Sequence, residues 1–171
     1  IFEDFRPEVQ GYIKKCHDRV KRHLPDSGRF VMDAASGAMQ YDDYRQYSEG
    51  FDYRVCVDVS FKGLKEVKWK LGDHALCLLA DMTALPIKDN VIDAYVSLNT
   101  VYHIPKDEQV TAIEEMNRSL KSGGKGVLVY EWFKHSLWMN IAMFPFRLWQ
   151  FLSNRIYIKG LKYVKDIDSG R

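Results

Sequence analysis

The sequence predicts an α/β domain of three layers, a mostly parallel sheet with helices on both faces. Two observations carry that prediction. Short apolar, β-branched runs alternate with amphipathic helical patterns along the chain. Polar and acidic residues also cluster just past the ends of the apolar runs, where open parallel sheets place their ligands. The length of 171 residues suits one domain with one sizeable core.

Each element has its own signal. Glu8 to Leu24 places Val9, Tyr12, Ile13, Cys16 and Val20 at helical spacing, and Pro25 and Gly28 end that helix. Arg29–Asp33 (RFVMD) reads as the first strand, followed by the small-residue turn Ala34–Ala38. Asp42–Ser48 suits a short helix. Arg54–Val59 (RVCVDV) is the second strand. Ser60 is a suitable N-cap for a helix running to Leu71, with Gly72 at its end. Ala75–Ala80 (ALCLLA) and Ile92–Leu98 (IDAYVSL) are the third and fourth strands. Asp107–Leu120 is a helix with Val110, Ile113, Met116, Asn117 and Leu120 on one side. Gly123 and Gly124 stop it, and Gly126–Glu131 (GVLVYE) is the fifth strand. His135–Leu152 reads as an aromatic-rich helix that Pro145 kinks or splits, and Arg155–Val164 as a small hairpin or further helix.

Composition narrows the function. A formal net charge of +2 argues against a nucleic-acid partner. Cys16, Cys56 and Cys77 form no metal-binding spacing, and buried thiols point to a reducing, cytoplasmic setting. His17, His23, His74 and His135 share no spacing, so no metal site is expected. No apolar run is long enough to span a bilayer, and no signal peptide is visible.

The candidate chemistry lies at the strand ends. The turn Ala34-Ala35-Ser36-Gly37-Ala38 lets a backbone pass close to a ligand, although tight strand-to-helix packing also favours small residues. Asp58, about twenty residues further on, suits both hydroxyls of a ribose, and serves equally as a helix N-terminal charge. The GxGxxG spacing of a dinucleotide site is missing, and Asp33 before the turn repels phosphate. A nucleoside with an ammonium and a sulfonium, S-adenosylmethionine, satisfies the same residues. Asp81 can accept from an adenine amino group while Met82 packs on the ring; a local cap is the alternative for Asp81.

Phe30–Gly37 (FVMDAASG), Val55–Ser60 (VCVDVS), Ala80–Pro86 (ADMTALP), Val91–Leu98 (VIDAYVSL) and Leu120–Tyr130 (LKSGGKGVLVY) resemble the successive motifs of class I S-adenosylmethionine-dependent methyltransferases. The nearest subgroup in appearance holds small-molecule and ubiquinone-pathway enzymes. The resemblance covers about residues 29 to 131 and implies a Rossmann-like sandwich. One domain is expected, with an N-terminal helix in 1–28, a cofactor-binding core in 29–131 and an aromatic-rich cover in 132–171.

The resemblance implies that Asp33, Ala35, Ser36 and Gly37 surround the methionine part. Asp58 would hold the ribose, Val59 the adenine face, and Asp81 and Met82 its edge. Leu98 and Asn99 would serve the ammonium. His103 is the best general-base candidate, with a helix cap or packing role as the alternative. Tyr41, Tyr102 and Trp132 are candidates for the acceptor pocket. The expected acceptor is a small molecule, with a hydrophobic one among the candidates. The segment 135–165 is a candidate for peripheral membrane contact or for a homodimer face. Two alternatives stay open: a non-catalytic module that binds the same cofactor, and a nicotinamide-dependent oxidoreductase.

Two departures stand out. Ala35 and Met39 replace glycines of the first motif, which implies an altered helix after the turn and a reshaped pocket floor. The chain begins at Ile1, and Arg155–Val164 is short for a closing antiparallel pair, so a longer parent chain is expected.

Overall fold

The structure is a computed structural model that describes residues 7–39 and 41–130, together with 141, 144 and 145. Its contacts divide the chain into two units, Ile1–Glu131 and Trp132–Arg171. In the second unit Ile141 and Phe144 are exposed. The helix expected over 135–152, the hairpin over 155–164 and Trp132 lie outside the described residues, as does nearly all of the segment 135–165.

The first unit runs α1 (Pro7–His23), β1 (Gly28–Ala34), a 3-10 segment (Asp42–Tyr47), β2 (Phe51–Asp58), α2 (Phe61–Leu71) and β3 (Ala75–Leu79). It continues through β4 (Ile92–Leu98), a 3-10 turn (Val101–His103), α3 (Gln109–Ser119) and β5 (Leu120–Val129). The strands are all parallel, in the order β3-β2-β1-β4-β5. This is the Rossmann-like sheet that the strand–helix alternation predicts. The chain winds outward from β1 to β3, then returns to the other side of β1 as β4. That reversal places a crevice beyond the carboxyl ends of β1 and β4.

The alternation of side chains builds the layers. Met32 and Ala34 of β1, with Val55 and Val57 of β2, face Ala112 and Met116 of α3. Val31 faces the other way, under Val20 of α1 and Leu24 just after it. Cys56 packs on that same side beneath Leu64 and Val67 of α2. Among the described residues, no helix is long and apolar enough to cross a membrane.

Three elements differ in detail from the expectation. The buried side of α1 is carried by His17 and Val20, with Leu24 buried just past its end, while Tyr12 is exposed. His17 packs its ring at 5.2 Å from Tyr41 and 4.8 Å from Tyr44, so an aromatic partner makes an apolar position of a polar residue. In α3, Ala112, Met116 and Ser119 are buried and Val110 is exposed. The fifth strand begins at Leu120, not Gly126, because Leu120 turns extended (φ −75, ψ 135) and pairs at once with Ile92. The register then shifts between Ile92 and Ala94. Gly123 at φ 79 sits in that irregularity, and a Cβ on Gly124 would stand 2.9 Å from the Asp93 carbonyl oxygen. The two glycines therefore shape a bulge in a strand rather than stop a helix.

A charged pair lies inside the sheet. Arg54 of β2 is 1% exposed and Asp33 of β1 is 5% exposed. The Arg54 guanidinium donates through Nε (3.1 Å) and Nη2 to Asp33 Oδ2, and through Nη1 to the Tyr44 carbonyl. Burial alone would lower the Arg54 pKa, but the Asp33 charge and hydrogen bonds outweigh it and raise it, so the guanidinium stays charged.

Arg54→Met is expected to cost about 3–5 kcal/mol in urea unfolding, because it strands a buried carboxylate. Adding Asp33→Leu should recover most of that loss. A single variant as stable as the parent would show that the pair is not closed in solution.

Candidate functional site

The turn after β1 keeps a glycine-type backbone without the glycines. Ala35 (φ 62), Gly37 (φ 52) and Met39 (φ 48) alternate in the left-handed region. For Ala35 and Met39 that conformation is strained, by about 1–2 kcal/mol each. The surroundings hold it in place. The Ser36 N–H donates to the Val57 carbonyl at 3.0 Å, and the Gly37 N–H to Asp58 Oδ2 at 2.7 Å. Lys70 of α2 donates to the carbonyls of Ala38 (2.9 Å) and Met39 (2.6 Å). The Met39 side chain is buried beside Leu64 and Val67. After the turn comes only the short 3-10 segment in place of a regular helix.

Asp58 has a second hold. Its Oδ1 accepts from the Ser60 N–H at 2.7 Å, and Ser60 caps α2 by accepting from the Gly63 N–H at 3.2 Å. A Cβ on Gly63 would stand 3.0 Å from the Gly37 carbonyl carbon, so the turn lies directly on the first turn of α2.

Ala35, Asp58, Val59, Asp81, Met82 and His103 line one cavity of about 270 Å³ at the carboxyl ends of the strands. The sequence reading singled out all six. It missed Ala80, Thr100, Ile104, Pro105 and Glu108, which complete the wall. Thr100 and Glu108 carry no local pattern; only the fold of the 3-10 turn and the start of α3 brings them there. Asp58, Asp81 and Glu108 give the wall three carboxyl groups, and no lysine or arginine lines it among the described residues. Val59 is 73% exposed, an apolar side chain left open at the rim. Met82 is buried in the core and presents little of itself. Asp81 accepts from the Thr83 N–H and Oγ at 2.8 Å, both on Oδ1, and these bonds hold its carboxyl below the usual carboxylate range.

Other predicted residues stand elsewhere. The Asp33 carboxylate is turned to Arg54, so its charge is neutralised inside the sheet and does not act on a ligand as an open carboxylate. Ser36 and Gly37 belong to the turn beside the cavity and do not line it. The Leu98 carbonyl accepts from Thr100 Oγ1 at 2.9 Å. Asn99 is exposed, in left-handed conformation (φ 54), with its N–H on the Val129 carbonyl at 2.9 Å. Tyr41 packs on His17 and Tyr44. Tyr102 lies 4.3 Å from the His103 ring and 5.8 Å from that of Tyr130. A larger open depression of about 740 Å³, lined by Arg29, Asp52, Tyr53, Asp73 and His74, lies at the opposite, amino ends of the strands. It brings mixed charges together away from the crevice.

Residues 33–128, more than half of the chain, match the family model described as a methyltransferase domain. The chain belongs to this methyltransferase family. Its cofactor is S-adenosylmethionine. A probable tRNA methyltransferase 9B from Mus musculus is 28% identical over 137 residues, 77% of this chain and 28% of the mouse protein. A putative methyltransferase from Bacillus halodurans superposes with a TM-score of 0.63 at 16% identity, covering 74% of this chain and 55% of that one. A SAM-dependent methyltransferase from Leishmania major gives 0.59 at 16% identity, over 72% and 51%. The chain thus spans little more than a quarter of the mouse relative and about half of the solved structures.

Ala35→Gly should raise stability by about 0.5–1 kcal/mol, since glycine adopts φ 62 without a Cβ clash. The urea midpoint reads this directly. A destabilised variant would mean that Ala35 is not left-handed.

Proposed function

We propose that the chain transfers a methyl group from S-adenosylmethionine to an acceptor that approaches beside His103. The observation that carries the reading is the acidic cavity at the switch point, with Asp58 at its centre. Each Asp58 oxygen already accepts one backbone N–H and retains a further lone pair, which suits the two hydroxyls of a ribose. The exposed Val59 offers an apolar face for adenine, and Asp81 an acceptor for its amino group, with Met82 as a floor. Ala35, Ser36 and Gly37 form the backbone that passes the methionine part, with Leu98 and Asn99 on its far side. The preference for a cation over a diphosphate comes from Asp58, Asp81 and Glu108. Asp33 contributes by fixing the strand beneath the turn.

When bound, the cofactor supplies a methyl group on a sulfonium sulfur that leaves as a thioether. The chain's own residues align the two reactants and exclude water. The His103 imidazole lies at the cavity wall, where it can take the proton that an N–H or O–H acceptor loses. Tyr102 and Tyr41 remain candidates for contact with the acceptor.

Two acceptor classes have support. A small molecule is implied by the motif resemblance, and a cavity of about 270 Å³ suits one. A nucleic acid is favoured by the name of the mouse relative. That name does not fit the exclusion drawn from the near-neutral net charge, which is a sum over the whole chain and says nothing of one face.

Titration calorimetry with S-adenosylhomocysteine tests the cofactor site. Asp58→Asn is expected to weaken binding about 30-fold or more, the equivalent of ~2 kcal/mol for a hydrogen bond to a charged group. Unchanged affinity would remove Asp58 from the site. His103→Gln should leave this affinity intact and lower transfer of labelled methyl groups to RNA or small-molecule extracts. Binding without transfer to either extract favours the non-catalytic module, and enhanced NADH fluorescence the oxidoreductase.

A further inference from the structure

We propose that the outer faces of α1 and α2 form a docking surface for the phosphate backbone of an RNA acceptor; this rests on the nucleic-acid reading of the acceptor above. Lys15, Arg19 and Arg22 are exposed and stand at i, i+4 and i+7, one stripe that rises about 10 Å along α1. No described residue pairs with them. Lys14, by contrast, is already spent on Asp18 at 3.5 Å. On α2, Lys62 and Lys65 are exposed, whereas Lys68 is paired with Asp73 at the surface and Lys70 donates to the Ala38 and Met39 carbonyls.

Exposed aromatics accompany the cations. Trp69 is 85% exposed, Tyr12 70% and Phe61 65%. The Lys65 ammonium lies over the Phe61 ring, 5.9 Å from its centroid, and aromatic faces interleaved with lysines are what a polynucleotide needs, stacking for bases and charge for phosphates. Phe61 follows Val59 and Ser60 directly, so the aromatic track begins at the rim of the cavity.

The two helices that carry these cations share one side of the sheet, with Glu66 exposed among them. The helices α1 and α2 cover the side of the sheet that holds Val31 and Cys56. The helix α3 and its leading turn cover the other side and carry Asp107, Glu108, Glu114 and Glu115. Helix-dipole complementation accounts for Arg22 near the end of α1, but not for Lys15 or Trp69. An anionic membrane is the weaker occupant. An interfacial helix inserts its apolar side, and the apolar side of α1 is occupied by the sheet.

The test uses the chain with charge reversals at Lys15→Glu, Arg19→Glu and Arg22→Glu together, and fluorescence anisotropy with a labelled pool of folded transfer RNA. The triple variant is expected to bind at least 30-fold more weakly at 50 mM salt. Its slope of log affinity against log salt should fall in magnitude by about 2–3. Affinity for S-adenosylhomocysteine should not change, which also reports that the variant is folded. Trp69→Ala should weaken RNA binding about tenfold while leaving the salt slope alone. Equal RNA affinity of parent and triple variant overturns the proposal. So does a parent that binds the cofactor product but no RNA, or that prefers phosphatidylserine vesicles to RNA. A parent that binds RNA but no S-adenosylhomocysteine upholds the docking surface and sinks the methyl-transfer reading instead.

Discussion

The Asp58 carboxylate joins two pieces of chain, the turn after β1 and the start of α2, through both of its oxygens. Its Oδ2 holds the Gly37 N–H of the turn after β1, and its Oδ1 holds the Ser60 N–H at the start of α2. Both are charge-assisted bonds at 2.7 Å, stronger than the neutral bonds of the sheet. With the turn tied there, Gly63 must lack a side chain, because Gly37 occupies that space. Lys70 ties the far end of the same turn. The left-handed backbone at Ala35 and Met39 persists because these contacts over-determine it. This end of the domain is thus a set of backbone positions held by Asp58, Lys70 and the Ser36–Val57 bond.

A second carboxylate divides the labour. Asp33 and Asp58 sit at the ends of neighbouring strands, yet their surroundings give them opposite roles. Asp33 faces the helix side of the sheet, loses its water and is matched by Arg54. Asp58 lies in the cavity wall and keeps acceptor capacity beyond its two backbone bonds. The electrostatic preference of the crevice therefore comes from the groups that line it, and the buried pair holds β1 to β2 and to the 3-10 segment through Tyr44.

The sequence made much of this legible where the pattern is short-ranged. The fourth strand is found at the predicted residues 92–98, and Ser60 caps its helix through its side chain. Strand period and N-cap chemistry are local properties. What escaped is non-local. Arg54 reads as one more residue of an apolar strand until Asp33 is seen opposite. Gly123 and Gly124 read as a helix stop because a bulge depends on the partner strand. His17 reads as polar until Tyr41 and Tyr44 close over it. The loss of glycines at Ala35 and Met39 implies an altered helix after the turn, where a 3-10 segment stands; that the turn itself keeps left-handed geometry at both residues depends on contacts remote in sequence. Net charge is likewise a sum over the whole chain, and a sum does not report how charge is spread over faces.

The most direct test of the central claim is a ¹H–¹⁵N correlation spectrum recorded as S-adenosylhomocysteine is added. If Asp58 anchors both the turn and the cofactor, the amide signals of Gly37, Val59 and Ser60 will move first and furthest. Saturable binding that leaves those three signals in place, with shifts gathered instead around Arg29 and His74 at the other end of the sheet, would contradict it.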